Sequence, residues 1–190
     1  MYMLASHNTM SYLKPSKWYL RPFTFISKCQ DKNIVEQYIL GIRMFDIRVR
    51  YDKHSNLIFA HGLMSFKGPT VDEILNIINS LKDCSVRLIF EEYKYNKNTN
   101  NHTKLFIKDA TYFINKYKNI NFFEFKRKYD WEQLINTNYN PKYIQKVASM
   151  TTNILNSICP KIYAIFNNKK IVSNISINEY TFIDFVGKYY

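Results

Sequence analysis

The stretch Gly41-Ile-Arg-Met-Phe-Asp-Ile-Arg-Val-Arg50 restricts the fold more than any other part of this 190-residue chain. From Met44 to Tyr51 the side chains are apolar, aromatic or β-branched, interrupted only by Asp46, Arg48 and Arg50. Such a run reads as a strand. Its period of two puts Asp46 and Arg48 on one face and Phe45, Ile47 and Val49 on the other. A carboxylate and a guanidinium on so apolar a strand are costly to bury unless each is paired. A structural ion pair satisfies that demand, and so does a working site. The neighbours favour the site. Residues 2–6 read as a strand ending at His7, and Leu57–His61 reads as another that ends in a histidine, followed by Gly62. Two histidines at strand ends, beside an Asp/Arg face, bring acid–base groups to an anion-binding cation.

The rest of the chain alternates strands with helices, which argues for a parallel α/β sheet in one domain over residues 1–190. Asp31 is a candidate N-cap for a helix through Leu40, and Gly41 is placed to end it. Thr70-x-x-Glu73 is a capping box that opens a helix with Val71, Ile74, Leu75, Ile78 and Leu81 on one stripe. Residues 86–93 predict a strand, 103–118 a helix and 122–125 a short strand. Residues 130–136 and 142–158 predict helices. Residues 161–166 and 180–186 predict strands, and 171–177 a strand or an extended connection. Trp18, Tyr19, Phe23 and Phe25 lie among Lys17 and Arg21, with Pro22 interrupting any helix. That basic-aromatic cluster suits either the core or a membrane interface.

The net charge of +12, from 27 Lys+Arg against 15 Asp+Glu, attracts anionic partners. The basic residues are spread along the chain without a recognition motif, so no nucleic-acid partner is expected. Cys29, Cys84 and Cys159 form neither a Cys-x-x-Cys pair nor a disulfide framework. The sequence shows no signal peptide and no apolar run long enough to span a bilayer, which predicts a soluble or peripheral protein. Its oligomeric state is not written in the sequence.

In order and spacing, Ser6-His7-Asn8-Thr9, Gly41-Ile42-Arg43-x-Phe45-Asp46-Ile47-Arg48 and His61-Gly62 resemble the X region of phosphatidylinositol-specific phospholipase C, in its bacterial and X-domain-only forms. The strong part of the resemblance covers residues 1 to about 95. It implies a distorted, compact TIM-type (β/α) barrel, with late elements abbreviated, and a phosphodiesterase active at a phospholipid membrane surface. It implies cleavage of an inositol phospholipid to diacylglycerol and a cyclic inositol phosphate. His7 would be the base, His61 the acid and Arg48 the stabiliser of the phosphate, with Asp46 holding Arg48 or the substrate edge. Asp184, in Phe182-Ile-Asp-Phe185, matches the late-strand aspartate that orients the first histidine.

Asn8 stands where bacterial members carry Asp and calcium-dependent ones carry Asn. Glu91 falls where the latter have an acidic ligand. Asn8, Asp46 and Glu91 thus offer oxygens to calcium, but Arg48 among them would repel the ion. The expectation is no cofactor and no metal, or an Arg48–Glu91 pair, with calcium left open. Asn8, Glu91, Lys94, Asn167 and Lys169 are the candidate headgroup contacts, the last four at expected strand ends. A decayed domain that binds anionic lipid and a related glycerophosphodiesterase are the rival readings.

Overall fold

The computed structural model describes residues 3–92, 99–137, 144–145, 159–173 and 180–188. Its strands are β1 (Met3–Ser6), β2 (Lys14–Pro15), β3 (Ile42–Tyr51), β4 (Leu57–His61), β5 (Met64–Lys67), β6 (Ser85–Phe90), β7 (Asn121–Arg127), β8 (Ile144–Gln145) and β9 (Tyr180–Ile183). Its helices are α1 (Thr24–Ser27), α2 (Ile34–Ile39), α3 (Val71–Ser80), α4 (Thr99–Lys116) and α5 (Pro160–Ser173). Strands β8, β9, β1, β3, β6 and β7 pair in that order, all parallel. An antiparallel hairpin, β4–β5, hangs on the far end of β3, with β2 paired to β5.

β3 is the spine because both of its edges are used. Met44–Val49 pair with β6 along one edge. The other edge is shared: Ile42–Phe45 take β1, and Val49–Tyr51 take β4. β1 runs parallel to β3 and β4 runs antiparallel, so the two approach the middle of β3 from opposite ends. His7 follows β1 and His61 ends β4, and both arrive beside Asp46–Arg48. The second histidine is therefore placed by an antiparallel hairpin and not by a further parallel strand.

The outer face of the sheet packs on helices. Phe45, Ile47 and Val49 join Val86, Leu88, Phe90 and the apolar stripes of α3 and α4 in one buried cluster. The inner face begins with a small apolar layer of Ala5, Met44, Phe123, Tyr180 and Phe182. Tyr180 Oη reaches Ser85 Oγ at 2.8 Å, and the Phe123 and Tyr180 rings lie 5.5 Å apart. β9 thus touches β6 and β7, several places away in the sheet, which requires strong curling. The result is a barrel-type sheet. Among the described residues no ladder joins β7 to β8, so it is left open.

Several local expectations are corrected. Asn33, not Asp31, caps α2: its Oδ1 accepts from Glu36 N at 3.0 Å and Glu36 Oε2 accepts from Asn33 N at 2.8 Å. Asp31 pairs with Lys188 instead. Residues 130–136 are turns and irregular backbone, tied down by Arg127 to Asp130 and Glu132. Ile144–Gln145, inside an expected helix, is a strand, and the rest of 142–158 lies outside the described residues. Residues 161–166 form a helix, not a strand. The buried positions of α5 are Pro160, Ala164 and Asn168, four apart; its helical period is carried by small and polar residues, while Ile162, Ile165 and Phe166 face out. Residues 171–173 continue this helix, and 174–179 are outside the described residues. β5 went unforeseen because Gly62-Leu63 is a two-residue turn, with Gly62 at φ 58°.

Candidate active site

Asp46 and Arg48 do share the inner face of β3, and both are buried. Arg48 Nε donates to Asp46 Oδ2 at 3.0 Å, and Asn8 N donates to the same oxygen at 3.0 Å. Burial alone would raise the Asp46 carboxyl, but Arg48, then Arg87 and His7, outweigh it and hold it below the usual carboxylate range.

Arg48 Nη2 lies 2.7 Å from His7 Nε2, and His7 Nδ1 lies 2.8 Å from Asp184 Oδ1. A guanidinium only donates, so Nε2 is the accepting nitrogen. The hydrogen sits on Nδ1 and is donated to Asp184. This is the tautomer a base needs, with its lone pair on the side of Arg48.

The His61 ring centroid is 6.0 Å from that of His7, at 87°. His61 Nδ1 donates to Ser27 O at 2.9 Å, leaving Nε2 for the site. Burial, then Arg48, pulls its pKa down to about 3, with Glu91 opposing. His61 is therefore neutral in this state near pH 7. A phosphate anion placed beside it favours the imidazolium.

Glu91 is buried but does not pair directly with Arg48. Its Oε1 accepts from Gly62 N at 2.7 Å and from Lys128. Burial opposes its ionisation, yet Arg48, His61 and Lys128 hold its carboxyl low. Lys128 was not anticipated. It follows β7 in a run of basic residues, Lys126-Arg127-Lys128, and nothing local marks which of them turns inward. Beneath, Arg87 pairs with Glu124, which Lys126 meets at 2.8 Å, so charge continues down the inner face.

Asp184 is braced from behind: Asn168 Nδ2 donates to its carbonyl at 2.7 Å. Gln30, fully buried, donates through Nε2 to His7 O at 3.0 Å and Ile183 O at 2.8 Å, and its Oε1 accepts from Val186 N at 3.1 Å. Neither brace has a sequence signature.

The structure thus gathers His7, Asn8, Asp46, Arg48, His61, Glu91 and Asp184. Asn167 and Lys169 are not at a strand end. Both lie on α5, where Asn167 Nδ2 donates to Tyr163 O at 3.0 Å and Lys169 is exposed. Lys94 lies outside the described residues.

A cleft of about 330 Å³ opens at His61, walled by Leu20, Phe23, Ile26 and Leu63. Leu63, in its wall, is 83% exposed, and Trp18, in the same short helical segment as Leu20 and Phe23, is 76% exposed, with Tyr19 and Phe25 also exposed. The basic-aromatic segment is surface and not core. No helix among the described residues is long and apolar enough to cross a membrane.

No family model matches the chain, and no curated protein matches it in sequence. Solved structures do match in shape. Phosphatidylinositol-specific phospholipase C from Listeria monocytogenes is 13% identical, with a TM-score of 0.63 over 97% of this chain and 88% of that one. A variant of the Staphylococcus aureus enzyme is 15% identical, with a TM-score of 0.60 over 99% of this chain and 86% of that one. Another S. aureus structure gives 14% and 0.58 over 99% and 87%. On this evidence of shape, the chain has the fold of the bacterial phosphatidylinositol-specific phospholipase C structures.

Proposed function

We propose that the protein is a phosphodiesterase that cleaves phosphatidylinositol-type phospholipids at a membrane surface. The observation that carries this reading is the line Asp184–His7–Arg48, with His61 facing it across 6.0 Å. His7 Nε2 takes the proton of a substrate hydroxyl at the place where Arg48 now donates. The freed alkoxide attacks the adjacent phosphorus, an intramolecular step favoured by proximity. Arg48 stabilises the charge that develops on the non-bridging oxygens. His61, charged by the nearby phosphate, gives its proton to the departing glycerol oxygen. The products are diacylglycerol and a cyclic inositol phosphate, which water can open with the two histidines in reversed roles.

Three buried acceptors support a polyhydroxylated headgroup: Asn8 Oδ1, Asp46 Oδ1 and Glu91 Oε2 have no hydrogen-bond partner among the described residues. Sugar-like hydroxyls donate to such atoms. Lys128, beside Glu91, adds a cation at the same edge. In this reading Arg48 supplies the positive charge and no calcium is required. The exposed Trp18, Phe23 and Leu63 beside Lys17 and Arg21 would meet the lipid, as interfacial aromatic and basic residues do. One of the S. aureus structures concerns modulation of that enzyme's membrane binding.

The test is incubation with phosphatidylinositol vesicles, with and without EDTA, assayed for diacylglycerol and cyclic inositol phosphate. Turnover that survives EDTA and is lost in His7→Ala and His61→Ala is the expected result. Vesicle binding without turnover would support a lipid-binding domain that has lost catalysis, and loss with EDTA would show that a metal acts in place of Arg48.

A further inference from the structure

Beside the His7 ring lies a thiol that the proposed reaction does not use. Cys29, His7 and Asp184 each offer one ligand atom, and these atoms all lie within 4.8 Å of one another. All three residues are buried. The Cys29 backbone is fixed on both sides: its N–H donates to Ser11 Oγ at 2.9 Å and its carbonyl accepts from Phe185 N at 2.6 Å. Asp184 uses Oδ1 on His7, while its buried Oδ2 has no hydrogen-bond partner among the described residues. Orienting His7 uses only one of the two oxygens, and the Cys29 thiol lies against the same carboxylate, so sulfur, nitrogen and oxygen donors share one buried point.

We propose that His7 Nδ1, Cys29 Sγ and the Asp184 carboxylate form a site for a thiophilic divalent cation of the zinc class, and that filling it switches the centre off. Thiolate, imidazole and carboxylate are the donors that zinc takes, whereas calcium and magnesium take oxygen. Three protein ligands leave the fourth tetrahedral position to water. Zinc bonds of about 2.0–2.3 Å set tetrahedral donors roughly 3.3–3.8 Å apart. The His7–Asp184 contact of 2.8 Å therefore opens slightly, and the cluster as a whole draws in. Thiolate and carboxylate together neutralise the dication. Arg48 stands on the Nε2 edge of the ring, so the imidazole separates its charge from the ion.

The proton balance explains the switch. Cys29 releases its thiol proton to solvent as the sulfur–metal bond forms. The His7 hydrogen moves from Nδ1 to Nε2, because Nδ1 must present its lone pair to the ion. An Nε2 that carries hydrogen cannot take a proton from substrate, and it repels the Arg48 N–H that faces it. The switch rests on the role proposed above for His7; the cation site itself does not.

Cadmium is the probe, because its bond to thiolate absorbs in the ultraviolet. Cys84 and Cys159 are first replaced by serine to remove the other two thiols. This C84S/C159S protein is expected to take one equivalent of Cd²⁺ with a thiolate charge-transfer band that Zn²⁺ displaces. Adding Cys29→Ser should abolish the band and weaken binding by more than the about 10–100-fold that an outer-shell partner costs. X-ray absorption of the zinc-loaded C84S/C159S protein should show one sulfur at about 2.3 Å beside nitrogen and oxygen at about 2.0–2.1 Å. This second measurement stands even if the serine variant does not fold. No band in C84S/C159S, a band that survives Cys29→Ser, or a zinc shell without sulfur would overturn the site. Spectroscopy reads it even in a protein that cleaves nothing. In a protein that does cleave phosphatidylinositol, zinc bound at this site with turnover unchanged would overturn the switch.

Discussion

Arg48 spans two partners, Asp46 through Nε and His7 through Nη2. Lysine keeps the charge but cannot make this planar double contact. Arg48→Lys is expected to fold and to lose about 10²–10³ in kcat, the range for removing one transition-state donor; vesicle turnover checks it. His61 makes a prediction about pH. Its folded pKa of about 3 lies below the ordinary 6.5, so between those values the unfolded chain holds a proton that the folded protein does not. Stability therefore falls as pH drops through that window, by up to about 1.4 kcal/mol per unit. Urea melts at pH 7 and pH 5 should show the loss in the wild type and a smaller one in His61→Asn. Asp46 and Glu91 contribute little to this comparison, because depressed carboxyls lose their stabilisation below pH 5. The Asp46–Arg48 face was legible because strand alternation forces both side chains to one side. Lys128 and Cys29 were not, since their roles come from turns of the chain that bring distant segments to the same ring.

At the level of elements, the segment around Gln30 joins β1 to the end of β9. Its amide serves three buried backbone groups, the His7 and Ile183 carbonyls and the Val186 N–H, and Ile183 O also accepts from His7 N at 3.1 Å. Gln30→Ala removes these three bonds and should cost about 1–3 kcal/mol, read as a lower urea midpoint. Because the same amide seats the His7 and Ile183 carbonyls, kcat should fall more than KM rises. The capping boxes show what sequence can and cannot fix at this scale. Thr70 with Glu73 was readable, and Thr70→Ala should cost about 1 kcal/mol. Asn33 with Glu36 obeys the same rule, but Asp31 two residues earlier is an equally good cap by residue type; pairing with Lys188, remote in sequence, decides between them. α5 misled because Ile162, Ile165 and Phe166 carry strand-forming residues on an exposed helical face, while Ala164 and Asn168 hold the helix to the body.

For the whole molecule, a parallel sheet followed from the alternation of strands and helices, and its barrel type from the resemblance. The open stretch between β7 and β8 did not, because it depends on how far the sheet curls. Exposure of the Trp18–Phe25 segment was equally hidden: composition cannot say whether aromatics face in or out. With Trp18 and Leu63 both outside, Trp18→Ala with Leu63→Ala should weaken vesicle binding while leaving the unfolding free energy from urea melts within about 0.5 kcal/mol. Raising salt should weaken it further through Lys17 and Arg21, each worth about 1 kcal/mol near an anionic surface.

Because β1 and β4 meet β3 from opposite directions, the gap between the two imidazoles is metered by the few rungs of β3 that separate Phe45 from Val49. The bend at Asp52–Asn56 joins β3 to β4, and its length sets the register in which Leu57–Phe59 pair with Val49–Tyr51. Lengthening that bend by one residue should slip β4 along β3 and carry His61 away from Arg48, so the spacing of the two rings is tunable from the surface of the molecule.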